Sequence, residues 1–218
     1  MSKRPYLLAF MAAVAVSAGL YWPLVLGLDT HWSPSAYGTT HAWSAEHILQ
    51  SLLSGENPHT ISDLGYPWVR EARFIGWAPI LASWLLMPLF GALGAYQLIS
   101  LLSAPICAVV AGRFIEQHSK CGPHIAAPAG LLFGFCPYQL ATLQTGEIPK
   151  AQLWVIPLFL MALLQTRSGW LQKGLILAVV SCITSFTSPY YGLALPLLAI
   201  GAAVVYTKAN AIQKGITV

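Results

Sequence analysis

Charged residues are scarce in this 218-residue sequence: aspartate, glutamate, lysine and arginine make up 8% of it, and hydrophobic residues make up 56%. Soluble domains carry about 25% charged residues, so the composition excludes an ordinary soluble domain and indicates an integral membrane protein. The formal net charge of +4 is the sum of separate clusters along the chain and does not indicate nucleic-acid binding.

Motifs of soluble enzymes are also missing. No GxGxxG, GxxxxGK[ST] or GxSxG sequence occurs, so nucleotide-binding and hydrolase readings have no support. The four cysteines contain no CxxC pair, and Cys107, Cys136 and Cys182 fall within apolar segments. We therefore predict neither a zinc site nor a disulfide framework.

What the sequence has instead is a series of apolar segments. Segments of about 20 residues can cross a hydrocarbon core of about 30 Å, and in lipid each must be a helix because its backbone groups have no water to bond. We predict an all-α, polytopic membrane protein in which residues 1–218 form one transmembrane domain with about six spans. The predicted spans are 5–28, 92–115, 122–143, 151–166 and two short helices within 174–206 that are separated at Ser188-Pro189.

Two details of these spans follow from local sequence. The first apolar run is longer than the 7–15 residues of a signal-peptide core, which favours a retained anchor. Residues 77–115 are too long for one straight span, and Pro88 with Gly91 divides them into a helix of about 12 residues near the membrane interface and the second span.

Charge is sorted between alternate loops. Six of the seven acidic residues, but only Arg70, Arg73 and Lys150 of the eleven basic ones, lie in residues 29–76 and 146–150. Because loops rich in lysine and arginine stay in the cytoplasm, we expect both termini to be cytoplasmic and residues 29–76 to form the first outer loop.

Within the first outer loop, residues 41–54 are amphipathic. Ala45, Ile48, Leu49, Leu52 and Leu53 follow helical spacing, and Glu46, His47, Gln50, Ser51 and Ser54 occupy the opposite face. Thr40 is suited to cap the start of this helix and Gly55 to follow its end. We predict an interfacial helix that lies on the membrane surface.

An ordered set of short motifs resembles a known family. Gly27-Leu28-Asp29 ends the first span, and His41-Ala42-Trp43 opens the amphipathic helix. The later motifs, in chain order, are Ser54-Gly55-Glu56-Asn57-Pro58, Gly65-Tyr66-Pro67, Leu89-Phe90-Gly91-Ala92-Leu93-Gly94-Ala95-Tyr96 and Phe133-Gly134-Phe135-Cys136-Pro137-Tyr138. Over roughly residues 25–200 the chain resembles the amino-terminal half of bacterial GT-C superfamily membrane glycosyltransferases.

The resemblance implies an enzyme of the bacterial inner membrane that transfers a sugar from a polyprenyl-phosphate carrier to an acceptor on the outer face. It implies catalytic roles for Asp29 and Glu147, which match the acid at the end of the first span and the acid in the outer loop after the third. Residues that would contact substrate are His41, Trp43, Arg70, Arg73 and Lys150, the last three by offering positive charge to the lipid phosphate.

The same residues also have interpretations that do not involve catalysis or substrate binding. Asp29 is also suited to be an interfacial anchor, Glu147 a solvated loop residue, and Arg70 and Arg73 partners of bilayer phosphates. No spacing among the outer histidines matches a metal-ligand set, so we predict no metal site and leave the cofactor, including a divalent metal, unassigned.

Departures from the family pattern suggest alternatives to an active enzyme. Family members usually carry further spans, and Tyr37 stands where several relatives have an aspartate. The main alternative is a non-catalytic subunit of a larger membrane complex, whose other subunits would supply the missing helices. A transporter ranks third, because charged residues are absent from the middle of the predicted spans.

Overall fold

The structure, a computed structural model, describes residues 4–27, 36–58, 60–61, 70–71, 76–165 and 169–213. Its helices are α1 (Arg4–Leu20), α2 (Trp22–Leu26), α3 (Ala36–Ser54), α4 (Trp77–Ser119), α5 (Pro123–Gly134), α6 (Pro137–Gln144), α7 (Ile148–Ala151), α8 (Val155–Leu163), α9 (Trp170–Thr187) and α10 (Pro189–Gln213). Two-residue strands, β1 (Thr60–Ile61) and β2 (Arg70–Glu71), pair antiparallel. The predicted all-α class is confirmed.

Length and composition single out one helix in the described part of the chain as able to span a membrane. This is α4, whose mean hydropathy reaches 2.0. Helices α5 and α6 meet at a bend of 42° and would form a second span if they are counted together. Shorter apolar helices are Arg4–Leu20, Leu171–Thr187 and Pro189–Gly201.

Helix α4 breaks at the position that the sequence indicates. Gly91 has φ 68° and ψ 172°, a backbone conformation that is essentially restricted to glycine. The break separates a first half, residues 77–90, from a second half, residues 92–119. The predicted division of this segment at Gly91 is confirmed.

The second half of α4 packs very closely on α5, because the facing residues are small. The contact residues are spaced four apart on both helices: Ala104, Ala108 and Gly112 on α4, and Ala126, Gly130 and Gly134 on α5. A Cβ atom added at Gly130 would lie 2.2 Å from the Ala108 carbonyl oxygen. This spacing is the one that lets helix backbones approach each other in membrane proteins.

Later in the chain, two predictions have different outcomes. The break between two helices at Ser188-Pro189 is confirmed, because α9 ends at Thr187 and α10 begins at Pro189. The predicted span 151–166 is wrong in extent, since helix α8 covers only Val155–Leu163. Ala151 is the last residue of the separate short helix α7, and Gln152, with φ −82° and ψ 48°, interrupts the helix before α8 begins.

Helix α3 begins earlier than predicted, and its buried face is rotated relative to the predicted one, although Ala45 and Ile48 are buried as expected. It starts at Ala36, so Thr40 lies inside the helix and does not cap it. Ser51, assigned to the polar face, is buried, whereas Leu53, assigned to the apolar face, is 74% exposed. The small residues Ala42 and Ala45 allow the helix to pack directly on α4, which rotates the buried stripe away from the leucines.

Candidate functional site

Glu147 is placed by the way helix α6 ends. Gly146 has φ 71°, and its amide donates to the Leu143 carbonyl while the Glu147 amide donates to the Thr142 carbonyl at 3.0 Å. This is the Schellman arrangement, which glycine favours after the last helical residue. Glu147 is thus the second residue beyond the C-cap of α6, and it directly precedes α7.

Lys150 forms an ion pair with Glu147. Its Nζ lies 2.5 Å from Glu147 Oε2, and the two side chains are 36% and 22% exposed. Hydrogen bonding to the Glu147 carboxylate raises the pKa of the Lys150 ammonium. A carboxylate and an ammonium group therefore stand side by side at a partly exposed position on α7.

Residues that follow the break between α9 and α10 at Ser188-Pro189, called the hinge below, also contact Lys150. The Tyr191 hydroxyl donates to the Lys150 carbonyl at 2.6 Å, and the Lys150 ammonium lies 5.5 Å from the centre of the Tyr190 ring. Two tyrosines from the start of α10 therefore contact Lys150, one at its backbone and one at its ammonium group. We refer to Glu147, Lys150, Tyr190 and Tyr191 as the Glu147–Lys150 site.

Behind the site, buried amide groups connect α4, α6 and α7. The Gln139 Nε2 group donates to the Ser103 hydroxyl at 3.1 Å and to the Ala151 carbonyl at 2.7 Å. Gln152 Oε1 accepts from the indole of Trp154. Gln139 Oε1 and Gln152 Nε2 have no hydrogen-bond partner among the described residues. Because a buried unpaired polar atom costs about 1–3 kcal/mol, both atoms favour a polar partner such as water.

Helix α3 also contacts the turn at Gly146, which precedes Glu147, through the side chain of His41. His41 is 8% exposed, and its Nδ1 lies 2.9 Å from the Tyr96 hydroxyl and 3.3 Å from the Gly146 carbonyl oxygen. The Tyr96 hydroxyl itself donates to the Gly146 carbonyl at 3.2 Å. His41 thus contacts protein groups directly behind Glu147.

The predicted site residues have different positions. Glu147 and Lys150 come together, and His41 lies behind them. Trp43 faces away from this cluster: it is 38% exposed and stacks on His47 with ring centres 5.0 Å apart. The backbone of Arg70 pairs with Ile61, whereas Asp29 and Arg73 lie outside the described residues.

Sequence reasoning did not assign functions to three neighbours of the site. Tyr96 and Gln139 are fully buried polar residues, and Tyr191 directly follows the hinge. Polar side chains inside apolar helices are costly unless they have partners, so their positions within predicted spans were the available signal. No group of three or more His, Cys, Asp or Glu side chains suited to a metal occurs in the described part of the chain.

An apolar groove lies between the first half of α4 and helix α9. Its volume is about 420 Å³, and it is lined by Ala78, Val179, Cys182, Ile183, Phe186 and Thr187. The Thr187 end adjoins the hinge, three residues before Tyr190. The groove therefore leads along α9 toward the helix end from which Tyr190 and Tyr191 reach Lys150.

Comparison with known proteins gives no match. No protein-family model matches the chain, and no curated protein or solved structure is significantly similar to it.

Proposed function

We propose that the chain is all or part of a multi-span membrane glycosyltransferase of the GT-C type, with the Glu147–Lys150 site at its outer face. The observation that carries this proposal is the pairing of a carboxylate with an ammonium group where α6, α7 and α10 meet. The ordered motifs of the sequence supply the reaction class, and the pair supplies two of the groups that the reaction needs.

The surface of the helices supports the membrane part of the proposal. Large apolar side chains point away from the protein on several helices, including Leu8 (66% exposed), Leu85 (80%), Leu132 (78%), Leu171 (70%) and Leu193 (70%). A soluble protein rarely leaves so many large apolar side chains uncovered. Lipid would cover them, which supports more membrane crossings than the one helix that length and composition select.

The two ends of the helices support the proposed orientation. Near the start of α1, the Tyr6 hydroxyl donates to Glu116 at 2.8 Å, and the Arg113 guanidinium stacks on the Tyr6 ring. Just beyond the end of α1, Tyr21 packs near Ala151 of α7. Arg113 and the Glu147–Lys150 site are therefore at opposite ends of the bundle, in agreement with a cytoplasmic basic end.

The proposed chemistry is a displacement at the anomeric carbon of the donor sugar. A hydroxyl of the acceptor attacks this carbon, the new carbon–oxygen bond forms, and the bond to the carrier phosphate breaks. The hydroxyl proton passes to a carboxylate, Glu147 or Asp29, and polyprenyl phosphate leaves. Lys150 would neutralise the phosphate, and the apolar groove beside α9 has the chemistry to accept part of the lipid chain.

The ion pair itself fits this sequence of events. Lys150 pairs with the carboxylate of Glu147. A phosphate oxygen bound to Lys150 would compete for the ammonium group and release the carboxylate to accept a proton. Donor binding and activation of the base would then be coupled at one lysine.

The same ion pair gives specific support to the second candidate, a non-catalytic subunit of a larger membrane complex. A carboxylate that is permanently paired is a poor proton acceptor and serves only to hold α7 in place. Under this alternative, the exposed apolar faces of α9 and α10 would pack against helices of other subunits.

The two candidates are distinguished by following the release of a radiolabelled sugar from polyprenyl phosphate in proteoliposomes. Removing a general base lowers a rate by about 10²–10⁴-fold, so Glu147→Gln or Asp29→Asn should reduce transfer to this extent at unchanged protein abundance. Glu46→Gln, which alters an exposed carboxylate on α3, is the matched control and should retain full activity. Wild-type rates in both test variants, or no transfer by the wild-type protein, would favour the non-catalytic subunit.

A further inference from the structure

Three polar groups from distant parts of the chain meet behind Glu147. They are His41 Nδ1 on α3, the Tyr96 hydroxyl on α4 and the Gly146 carbonyl at the end of α6, and their pairwise distances are 2.9, 3.2 and 3.3 Å. His41 is 8% and Tyr96 1% exposed. The groups therefore interact where water is largely excluded.

The chemistry of the three groups limits how they bond. The Gly146 carbonyl can only accept, and the Tyr96 hydroxyl donates to it. His41 Nδ1 and the Tyr96 hydroxyl also form a hydrogen bond with each other, in which the donor is set by the imidazole tautomer. The side chains of His41 and Tyr96 therefore both lie within hydrogen-bonding distance of the Gly146 carbonyl.

The residue on the other side of Glu147 is also fixed by α3 and α4. Ile148 is 1% exposed and packs in one apolar cluster with Ala42, Ala45 and Ile48 of α3. The indole of Trp84 on α4 donates to the Ala45 carbonyl at 2.9 Å and holds α3 against α4. Glu147 thus lies between two residues that both contact α3.

We propose that His41 is a positioning residue for the Glu147–Lys150 site, acting with Tyr96 through the Gly146 carbonyl. A carboxylate attached to a short loop points in many directions unless the backbone on both sides is held. Here the hydrogen bonds to Gly146 and the burial of Ile148 fix the direction in which Glu147 leaves the backbone, and hence its contact with Lys150. Helix α3, which lies before the site in sequence by about 100 residues, thereby fixes the geometry of the site together with the end of α6.

The catalytic consequence rests on the proposed function, whereas the positioning does not, and the test separates the two. In a background without the four native cysteines, Glu147→Cys provides a thiol whose alkylation rate reports the position of this side chain. His41→Ala should change that rate by threefold or more. His41→Asn should restore it, because the asparagine amide nitrogen occupies nearly the same place as Nδ1.

Two controls exclude a general loss of structure. His118→Ala removes an exposed histidine that bonds the Phe114 carbonyl of its own helix, and it should leave the rate at position 147 unchanged. Alkylation of Ser54→Cys at the end of α3 should be the same with His41 and with His41→Ala. Equal changes at positions 54 and 147, or no change at 147, would overturn the positioning role.

With Glu147 in place, sugar transfer provides the second measurement. His41→Ala should lower kcat by tenfold or more with little change in KM for the donor, and His41→Asn should recover most of it. If the alkylation results hold and no transfer occurs in any variant, the proposed function is wrong and the positioning role stands. Full transfer by His41→Ala would contradict the role of His41 in catalysis.

Discussion

The close packing of α4 on α5 makes Gly130 the most sensitive position of this interface. In Gly130→Ala, the new methyl group would lie 2.2 Å from the Ala108 carbonyl oxygen, 2.6 Å from the Gly112 nitrogen and 2.8 Å from the Gly112 Cα. All three atoms belong to the backbone and cannot rotate away. To reach an ordinary carbon–oxygen distance of about 3.3 Å, the two helices must separate locally by about 1 Å.

The cost of this separation can be estimated from packing. Overpacking of a close interface typically costs about 1–3 kcal/mol, and a gap of this size removes a quarter to a half of each dispersion contact around it. Alanine in place of glycine gains about 0.5–1 kcal/mol within a helix, which offsets a part. We expect Gly130→Ala to lower the free energy of unfolding by about 1–2 kcal/mol, and the melting temperature by several degrees.

Thermal unfolding of the purified protein in detergent, followed by circular dichroism, measures this difference. Gly174→Ala in α9 is the matched control, because no atom lies within 4 Å of the added Cβ. This control should be as stable as the wild-type protein or slightly more stable. Equal melting temperatures for the two variants would show that α4 and α5 are not packed as closely as described.

Three further predictions concern the fold. Gly91→Ala should destabilise the protein by about 1–3 kcal/mol in the same assay, because φ 68° with ψ 172° is strained for any residue with a side chain. Gly122→Ala should not destabilise it, since Gly122 has φ −72°. Equal stabilities of the two variants would argue against the break in α4. Ser51→Glu should abolish accumulation of folded protein in membranes, since Ser51 is buried, whereas Gln50→Glu on the exposed face should not. The same yield for both variants would contradict the burial of the Ser51 face of α3. Cysteines at Ser54 and Thr145 should react with a membrane-impermeant maleimide in intact cells and one at Ser168 should not, and labelling at Ser168 would contradict the proposed topology.

The positions of the helices could largely be predicted from the sequence, because they depend on local signals. Gly91, Gly55 and Ser188-Pro189 each act through backbone conformation, and the breaks occur at these residues. The face of α3 could not be predicted in the same way. Hydrophobicity favours burying Leu52 and Leu53, but Ala42 and Ala45 allow a closer approach to α4, and this depends on which helix lies opposite.

In the candidate site too, some residues could be predicted from the sequence and others could not. The resemblance to the family indicates Glu147, and Lys150 is a basic residue in the same short loop between apolar segments. Their direct pairing follows from the one-turn spacing of the two residues at the start of α7. Tyr96, Gln139 and Tyr191 reach the loop from other helices, and such contacts require the tertiary arrangement.

The surroundings of Lys150 provide the sharpest distinction between an enzyme and a structural subunit. A partly exposed ion pair contributes about 1 kcal/mol or less to stability, so Lys150→Gln should leave the melting temperature nearly unchanged under either proposal. If Lys150 binds the donor phosphate, this variant should raise KM for the polyprenyl-phosphate sugar, and Lys150→Arg should retain most of the affinity because it keeps the charge. Identical KM values for wild type and Lys150→Gln would show that Lys150 does not bind the donor phosphate. The pair would then be an exposed contact that only holds α7, as expected of a subunit without catalysis.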